Sequence, residues 1–443
     1  MRRFSRGVRA AALAATLCAA PALAQSPPEA RTGLSAAQVM AIAERAEAAG
    51  DAASAIAAYT ALAEDSDVDV RSEARFRHGR LLAARGDYRG AALLYRRILD
   101  ERPDASRVRI ELAGILVLIG DEGAARRELR QARAGGLPGE VALAVDQFAN
   151  ALRARKPFGG SVSLALVPDS NINRATDRET LDTIIAPLDL SRDARERSGI
   201  GFRIGAQVYA RIPLGQNLTL QPRLSGQAEI YGEEQFNDIS GSAGLSLDWI
   251  AGRRDRLRPG VGQTLRHYGG RLYAETRSAT VNWIHGLGNV AQLDTTLTVA
   301  RADYKTNDLQ DGWLFDVSAS YERAFDARSG GALTASLSRQ QARDPGYATA
   351  GGGASLLYWR EFGEVTLFGS TGLRRLEADE RLFLFPERRR EWLFSAGAGG
   401  TFRQLAIAGF APVVRLSFER NRSTIGIYDY RRVAVDFGIA RAF

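Results

Sequence analysis

A chain of 443 residues has room for two or three domains at about 150 residues each. Its 59 basic and 51 acidic residues give +8, but four of the arginines (Arg2, Arg3, Arg6, Arg9) lie in the first 24 residues. Without that segment the excess is +4, 55 against 51, too small to argue for nucleic acid, and the only cysteine, Cys18, goes with it, which excludes disulfide and thiolate chemistry from the rest.

Residues 1–24 read as a secretory signal: the basic cluster, an apolar stretch from Ala10 to Ala20, then Ala22-Leu23-Ala24 as a cleavage site. Leu17 stands before Cys18 where a lipoprotein signal wants a small residue, so no lipid anchor is expected.

Residues 25–156 read as an all-α domain. From Thr32 to Ala134 apolar residues recur at helical spacing, and Gly50-Asp51, Gly86-Asp87 and Gly120-Asp121 repeat at separations of 36 and 34 residues. Each glycine is followed five positions later by Ala55, Ala91 or Ala125 and nine positions later by Tyr59, Tyr95 or Leu129; the middle copy adds Gly79 and Pro103. This is similar to the tetratricopeptide pattern, in which a small residue lets two helices cross closely. A capping helix is expected over Glu140–Arg155. Such solenoids present a groove to a peptide or helix, and Tyr59, His78, Arg85, Tyr95 and Arg109 are the candidate partner-binding residues.

At Pro157 the period changes from three or four to two. The clearest stretch is Ser198–Tyr231, two long alternating strands around Pro213, Gly215 and Asn217. Each exceeds the roughly 9–11 residues that a tilted strand needs to cross a bilayer. One parity is apolar (Ile200, Phe202, Ile204, Val208); the other carries Arg203, Arg211 and Arg223. Fourteen strands are expected in residues 157–443, beginning near Ser161, Ser198, Leu218, Ser240, Arg256, Thr276, Val290, Gly312, Leu333, Gly351, Val365, Arg390, Phe410 and Tyr430. An even count, with connections alternating long and short, fits a bacterial outer-membrane barrel whose termini face the periplasm. The long connections expected include Pro168–Arg197, Tyr268–Glu275 and Glu377–Arg389, and all five tryptophans (Trp249, Trp283, Trp313, Trp359, Trp392) are expected at the aromatic girdles. Arg256, Arg258 and Arg266 line one strand and, with Arg203, Arg211 and Arg223, are expected in the lumen. Such residues more often brace the wall than select a solute.

The fold expected is therefore α + β in two domains, a tetratricopeptide-like solenoid followed by a 14-stranded antiparallel transmembrane β-barrel. The last strand alternates through Val433, Val435, Phe437 and Ile439 to Phe443, resembling the C-terminal signal read by the barrel-assembly machinery, with Arg441 departing from it.

Two short stretches complete the pattern: Pro168-Asp169-Ser170-Asn171-Ile172-Asn173 after the first strand, and Tyr428-Asp429-Tyr430 before the last. With the helical repeats and fourteen strands, the whole resembles the surface lipoprotein assembly modulator family. The resemblance implies a translocon that delivers client surface lipoproteins, or soluble haem- and metal-acquisition proteins, to the cell surface. In it the periplasmic repeats engage client or chaperone and the barrel gives passage. From the residues themselves, Pro168, Asp169, Ser170, Asn171 and Asn173 admit two readings: side-chain turns that fold the first loop back, or a segment lining and gating the lumen.

No enzyme is expected, since there is neither a G-x-S-x-G elbow nor an H-E-x-x-H motif, and His78, His267 and His285 are scattered. Gly351-Gly352-Gly353 precedes a strand, not the helix N-terminus that a phosphate loop needs. Neither cofactor nor metal is expected, and the partners are the client, the chaperone and the lipid membrane. An exopolysaccharide export porin also joins such repeats to a barrel and stands as the alternative.

Overall fold

A computed structural model describes residues 34–134, 158–252, 254–288, 290–405, 407 and 410–441. The signal segment, the expected helix over Glu140–Arg155 and Phe443 lie outside the described residues.

Three helical hairpins open the fold: α1 (Ala36–Ala48) with α2 (Ala52–Leu62), α3 (Val68–Ala84) with α4 (Tyr88–Glu101), and α5 (Ser106–Ile119) with α6 (Glu122–Ala134). The Gly-Asp repeat makes the hairpin turns. Gly50, Gly86 and Gly120 have φ of +77°, +85° and +101°, which only glycine adopts without strain. The aspartates that follow cap the second helices, accepting from the amides of Ser54, Gly90 and Ala124. Ala55, Ala91 and Ala125 are buried at the crossings, with Tyr59, Tyr95 and Leu129 beside them. The sequence pattern is thus a packing pattern.

Gly79 shows how close the middle crossing is, because a Cβ there would lie 2.6 Å from the Tyr95 ring. Gly79→Ala gains about 1 kcal/mol of helix propensity but overpacks a filled site, at about 1–3 kcal/mol. The expected net loss is about 1 kcal/mol, read as a lower urea midpoint of the helical circular-dichroism signal while the detergent-solubilised barrel stays folded.

Fourteen antiparallel strands follow: β1 (Phe158–Asp169), β2 (Gly199–Ala210), β3 (Leu218–Tyr231), β4 (Asp238–Ile250), β5 (Asp255–Tyr268), β6 (Arg271–Leu287), β7 (Ala291–Tyr304), β8 (Gly312–Ala324), β9 (Ser329–Gln340), β10 (Thr349–Phe362), β11 (Val365–Arg381), β12 (Arg388–Phe402), β13 (Phe410–Ser423) and β14 (Tyr430–Arg441). Each pairs with the next and β14 pairs with β1, so the barrel closes. Closure removes both sheet edges, which a bilayer requires. The alternation holds around the wall: Ile200, Val261 and Leu337 point outward and are more than 60% exposed, whereas Gln221, Asp248, Gln292 and Arg432 point inward and are buried.

The connection expected over Glu377–Arg389 shortens to residues 382–387, because β11 runs on to Arg381 and β12 begins at Arg388, and two further expectations fail. The connection over Tyr268–Glu275 is not a long loop: Gly269 and Gly270, at φ +57° and +75°, make a two-residue turn and β6 is paired from Arg271 onward. Trp359 is not in a girdle, for it shares the inward parity of Glu361 and faces the lumen. Trp249, Trp283, Trp313 and Trp392 do face outward.

Candidate gates at the two mouths of the barrel

The outer mouth is organised by the first long loop, residues 170–198. Asp169 ends β1 fully buried and forms an ion pair with Arg432 of β14 at 2.7 Å; Arg432 also reaches Glu419 of β13 at 2.9 Å. Ser170 stitches the loop to β14, its amide donating to the Val433 carbonyl and its hydroxyl accepting from the Val433 amide. Asn171, fully buried, donates to the carbonyls of Ala175 and Arg431 and accepts from the Ala175 amide. Asn173 closes the far side of the loop on Asp193, Arg195 and Arg197. Pro168 stays in the β1 ladder opposite Ile200.

These turns carry Ile172 and Arg174 into the mouth. Arg174, at φ +48°, reaches Glu419 at 3.4 Å. It lines one cavity with Arg374, Glu391 and Tyr430 and a second with Glu229, Arg266 and Tyr268, so the loop lies between opposite walls. The two stretches singled out near the chain's first and last strands converge here, because the Tyr430 hydroxyl donates to the same Glu419 at 3.2 Å. The side chains of the Pro168–Asn173 segment thus make side-chain turns, and those turns line the mouth.

The inner mouth is covered by the helical domain, on the side of the short turns. Arg130 of α6 donates to Gln292 at 2.9 Å and Glu322 at 2.6 Å, both on the lumenal wall. Arg109 of α5 is fully buried; it pairs with Glu128 at 2.7 Å and extends its other nitrogen to the Ala327 carbonyl in the β8–β9 turn and toward Glu361. Arg403, beyond β12, pairs with Asp100 of α4 at 2.6 Å. Arg96, Arg127, Glu128 and Gln131 then enclose, with Trp359, Phe368 and Arg415 of the wall, a cavity of about 370 Å³. Burial pushes the Glu128 carboxyl up, but Arg96 and Arg109 outweigh it and hold the group below its ordinary value. For Asp100 burial wins over Arg403 and the shift is upward.

The groove proposed for the repeats takes a correction. Tyr59, Tyr95 and Arg109 are 0%, 1% and 0% exposed; the first two fill helix crossings and the third holds the dock, so none offers a surface to a partner. Burial, ahead of the bond to Glu47, pushes the Tyr59 phenol up to about 12. His78 is half-buried, with its pKa lowered by burial, and Arg85 is exposed at the C-terminus of α3.

The lumenal arginines are paired with the wall. Arg203 bridges Glu229 and Asp436; Arg256 and Arg258 share Asp248; Arg266 takes Asp238 in a two-pronged bond. Arg211 and Arg223 stack over Tyr209 at 4.7 and 5.5 Å. Sequence reading missed Arg432, Arg174, Glu322, Glu361, Arg96, Arg130 and Arg403. The alternation of β14 marked Arg432 as inward; nothing local marks the docking residues, whose partners stand some 160 to 300 positions away.

Residues 158–443 match the family described as surface lipoprotein assembly modifier. The chain belongs to that family. Residues 82–136 match the tetratricopeptide repeat. The surface lipoprotein assembly modifier 1 of Neisseria meningitidis serogroup B is 25% identical over 383 residues, covering 82% of this chain and 75% of that protein. A surface lipoprotein assembly modifier of Moraxella catarrhalis is 27% identical over 188 residues, 41% of this chain and 35% of that one. Among solved structures, the loop-deleted OmpT of Vibrio cholerae covers 64% of this chain and 99% of its own at 8% identity and a TM-score of 0.38. This member is an outer-membrane β-barrel whose first loop lines one mouth and whose helical domain docks at the other.

Proposed function

We propose that this protein is a gated conduit that delivers lipoprotein clients to the cell surface. The observation that carries the reading is that parts of the same chain reach into both mouths, the Ile172–Arg174 turn at one and helices α4 to α6 at the other. A diffusion porin gains nothing from a second stopper; a translocon that must hold the membrane sealed between clients does. The helical domain lies on the side of the short turns, which in such barrels is the periplasm. There it meets the client, or the chaperone that hands it over, and undocking would clear the inner mouth. The barrel itself reaches the membrane through the barrel-assembly machinery, and the protein contributes no chemical step of its own.

The paired lumen argues against polymer export, for Arg256, Arg258 and Arg266 face Asp248 and Asp238 and form no uncompensated cationic track. Deleting the gene and labelling surface proteins on intact cells tests the reading. At least one lipoprotein is expected to vanish from the surface while secreted polymer is unchanged; the reverse pattern refutes it. Soluble haem- and metal-acquisition proteins in the medium are assayed in parallel, as the second client class.

A further inference from the structure

Toward the long loops the outward face of the wall carries arginines, and over β11 to β13 their charge is left over. Arg375, Trp392 and Arg422 stand side by side on those three strands in one outward row. The Arg375 guanidinium lies 5.3 Å from the centre of the Trp392 ring, and an outward tryptophan marks the level where hydrocarbon gives way to headgroups. One row nearer the loops, Glu377 stands opposite Arg390. Three arginines converge on that single carboxylate: Arg375 at 3.3 Å, Arg388 at 2.9 Å and Arg390 at 3.2 Å, each about half exposed. Arg422, exposed on the other side of Trp392, adds a further cation.

One row deeper, Arg420 and Arg431 face each other across β13 and β14, the first offset by Asp429 at 2.6 Å and the second within the field of Glu196. On the other side of the barrel the same level is closer to balance. Over β6 and β7, Arg277 is held by Glu275 at 2.8 Å and Lys305 by Asp303 at 2.7 Å, while Arg301 lies over Trp313. Like charges on neighbouring strands destabilise a sheet. A patch that gathers Arg375, Arg388, Arg390 and Arg422 around one carboxylate is relieved when an anion from outside the chain sits among them.

We propose that this patch binds the phosphorylated glycolipid of the outer leaflet, a glucosamine disaccharide with a phosphate at each end and several acyl chains. The long loops mark the end of such a barrel that faces the cell surface. Glu377 occupies one nitrogen of each of its three arginines, which leaves the other N–H donors of each guanidinium to grip phosphate oxygens in pairs. Arg375 and Arg422 stand two strands apart, about 10 Å at the usual strand spacing. A headgroup with two phosphates therefore engages both sides of Trp392, where a phospholipid with one phosphate fills only one. Its acyl chains then run down over Phe394 and Phe418, outward rings 6.3 Å apart on the hydrocarbon side of the arginines. The site needs only the orientation of the barrel, not the identity of its client.

Native mass spectrometry of the full-length protein in detergent tests this, with lipid A, monophosphoryl lipid A, phosphatidylglycerol and inorganic phosphate as probes. Lipid A is expected to bind, and monophosphoryl lipid A to bind more weakly. Arg375→Gln with Arg422→Gln is expected to lower the affinity for lipid A by about tenfold or more, the loss of a charge-assisted contact. Arg277→Gln with Arg301→Gln, at the same level across the barrel, is expected to leave it unchanged, and the heat-dependent gel shift of a folded barrel shows that both variants are intact. Equal affinity in the parent and the Arg375→Gln, Arg422→Gln protein overturns the proposal, as does an equal loss in the Arg277→Gln, Arg301→Gln protein. Displacement of lipid A by an equal amount of phosphatidylglycerol, or by inorganic phosphate, overturns it too, since the patch then reads any anionic headgroup or free phosphate. A photoreactive residue at Phe394 leaves every arginine in place, so it decides the matter even if the variants fail to fold. Capture of the glycolipid on cells supports the site, and capture of phospholipid alone overturns it.

Discussion

Reversing the charge of Glu322 and Glu361 together is expected to release the helical domain from the barrel and raise single-channel conductance in planar bilayers well above that of the parent. Both carboxylates face arginines of the helices, Glu322 against Arg130 at 2.6 Å and Glu361 against Arg96 and Arg109 at 3.6 Å. Arg130 and Arg109 are buried, so screening by salt is weak there. Placing like charges against them costs several kcal/mol, enough to shift a docked state to an undocked one. Cysteines at Arg97 and Gln404, which face the same crevice between α4 and the barrel rim, report the change directly. A short bis-maleimide joins them in the parent and is expected to fail in the Glu322→Arg, Glu361→Arg protein. Cross-linking that persists at the parental rate, with conductance unchanged, would show that the dock does not depend on these pairs.

The first loop has its own critical residue. Arg432→Met leaves the Asp169 carboxylate buried with, among the described residues, the Asn171 amide as its remaining donor. Breaking such a pair from one side costs about 3–5 kcal/mol, far more than an exposed pair is worth. The first loop is expected to swing out, measured as faster labelling of Ile172→Cys by a membrane-impermeant maleimide on intact cells, by about tenfold or more. Adding Asp169→Asn removes the stranded charge and should recover a large part of the protection. Equal labelling in parent and Arg432→Met would mean that the loop is held by the asparagine turns alone.

The barrel was legible because its rule is local. A period of two, repeated from Gly199 to Arg441, specifies which face each side chain takes, and a closed antiparallel wall follows once the strands number fourteen. The helical hairpins were legible for the same reason, with Gly50, Gly86 and Gly120 marking turns that only glycine makes. What escaped was everything decided between distant parts of the chain. Tyr59 and Tyr95 have the residue type of a binding groove, and only three-dimensional packing shows them inside the crossings. Trp359 has the composition of a girdle residue, but its parity turns it inward, a signal present in the sequence and outweighed by its position near a strand end. Gly269-Gly270 carried the signature of a tight turn and was absorbed into a longer loop because Tyr268–Glu275 lacks strong apolar alternation. The PDSNIN-like stretch was the best local clue, since asparagines that cap turns also fix where the next side chain goes.

Arg109 belongs to two domains at once. Within the helices it neutralises Glu128; beyond them it needs the Ala327 carbonyl, which exists in that place only when β8 and β9 have joined in their hairpin. A helical domain made before its barrel therefore has a cation at its centre with part of its hydrogen bonding still unmet. Synthesis from the N-terminus produces the helices first, so their final packing waits on the wall. Barrel insertion thereby becomes the event that completes the helical domain, and a chain stalled before insertion carries an incomplete set of helices, distinguishable from the finished one by slower protection of the α5 and α6 amides.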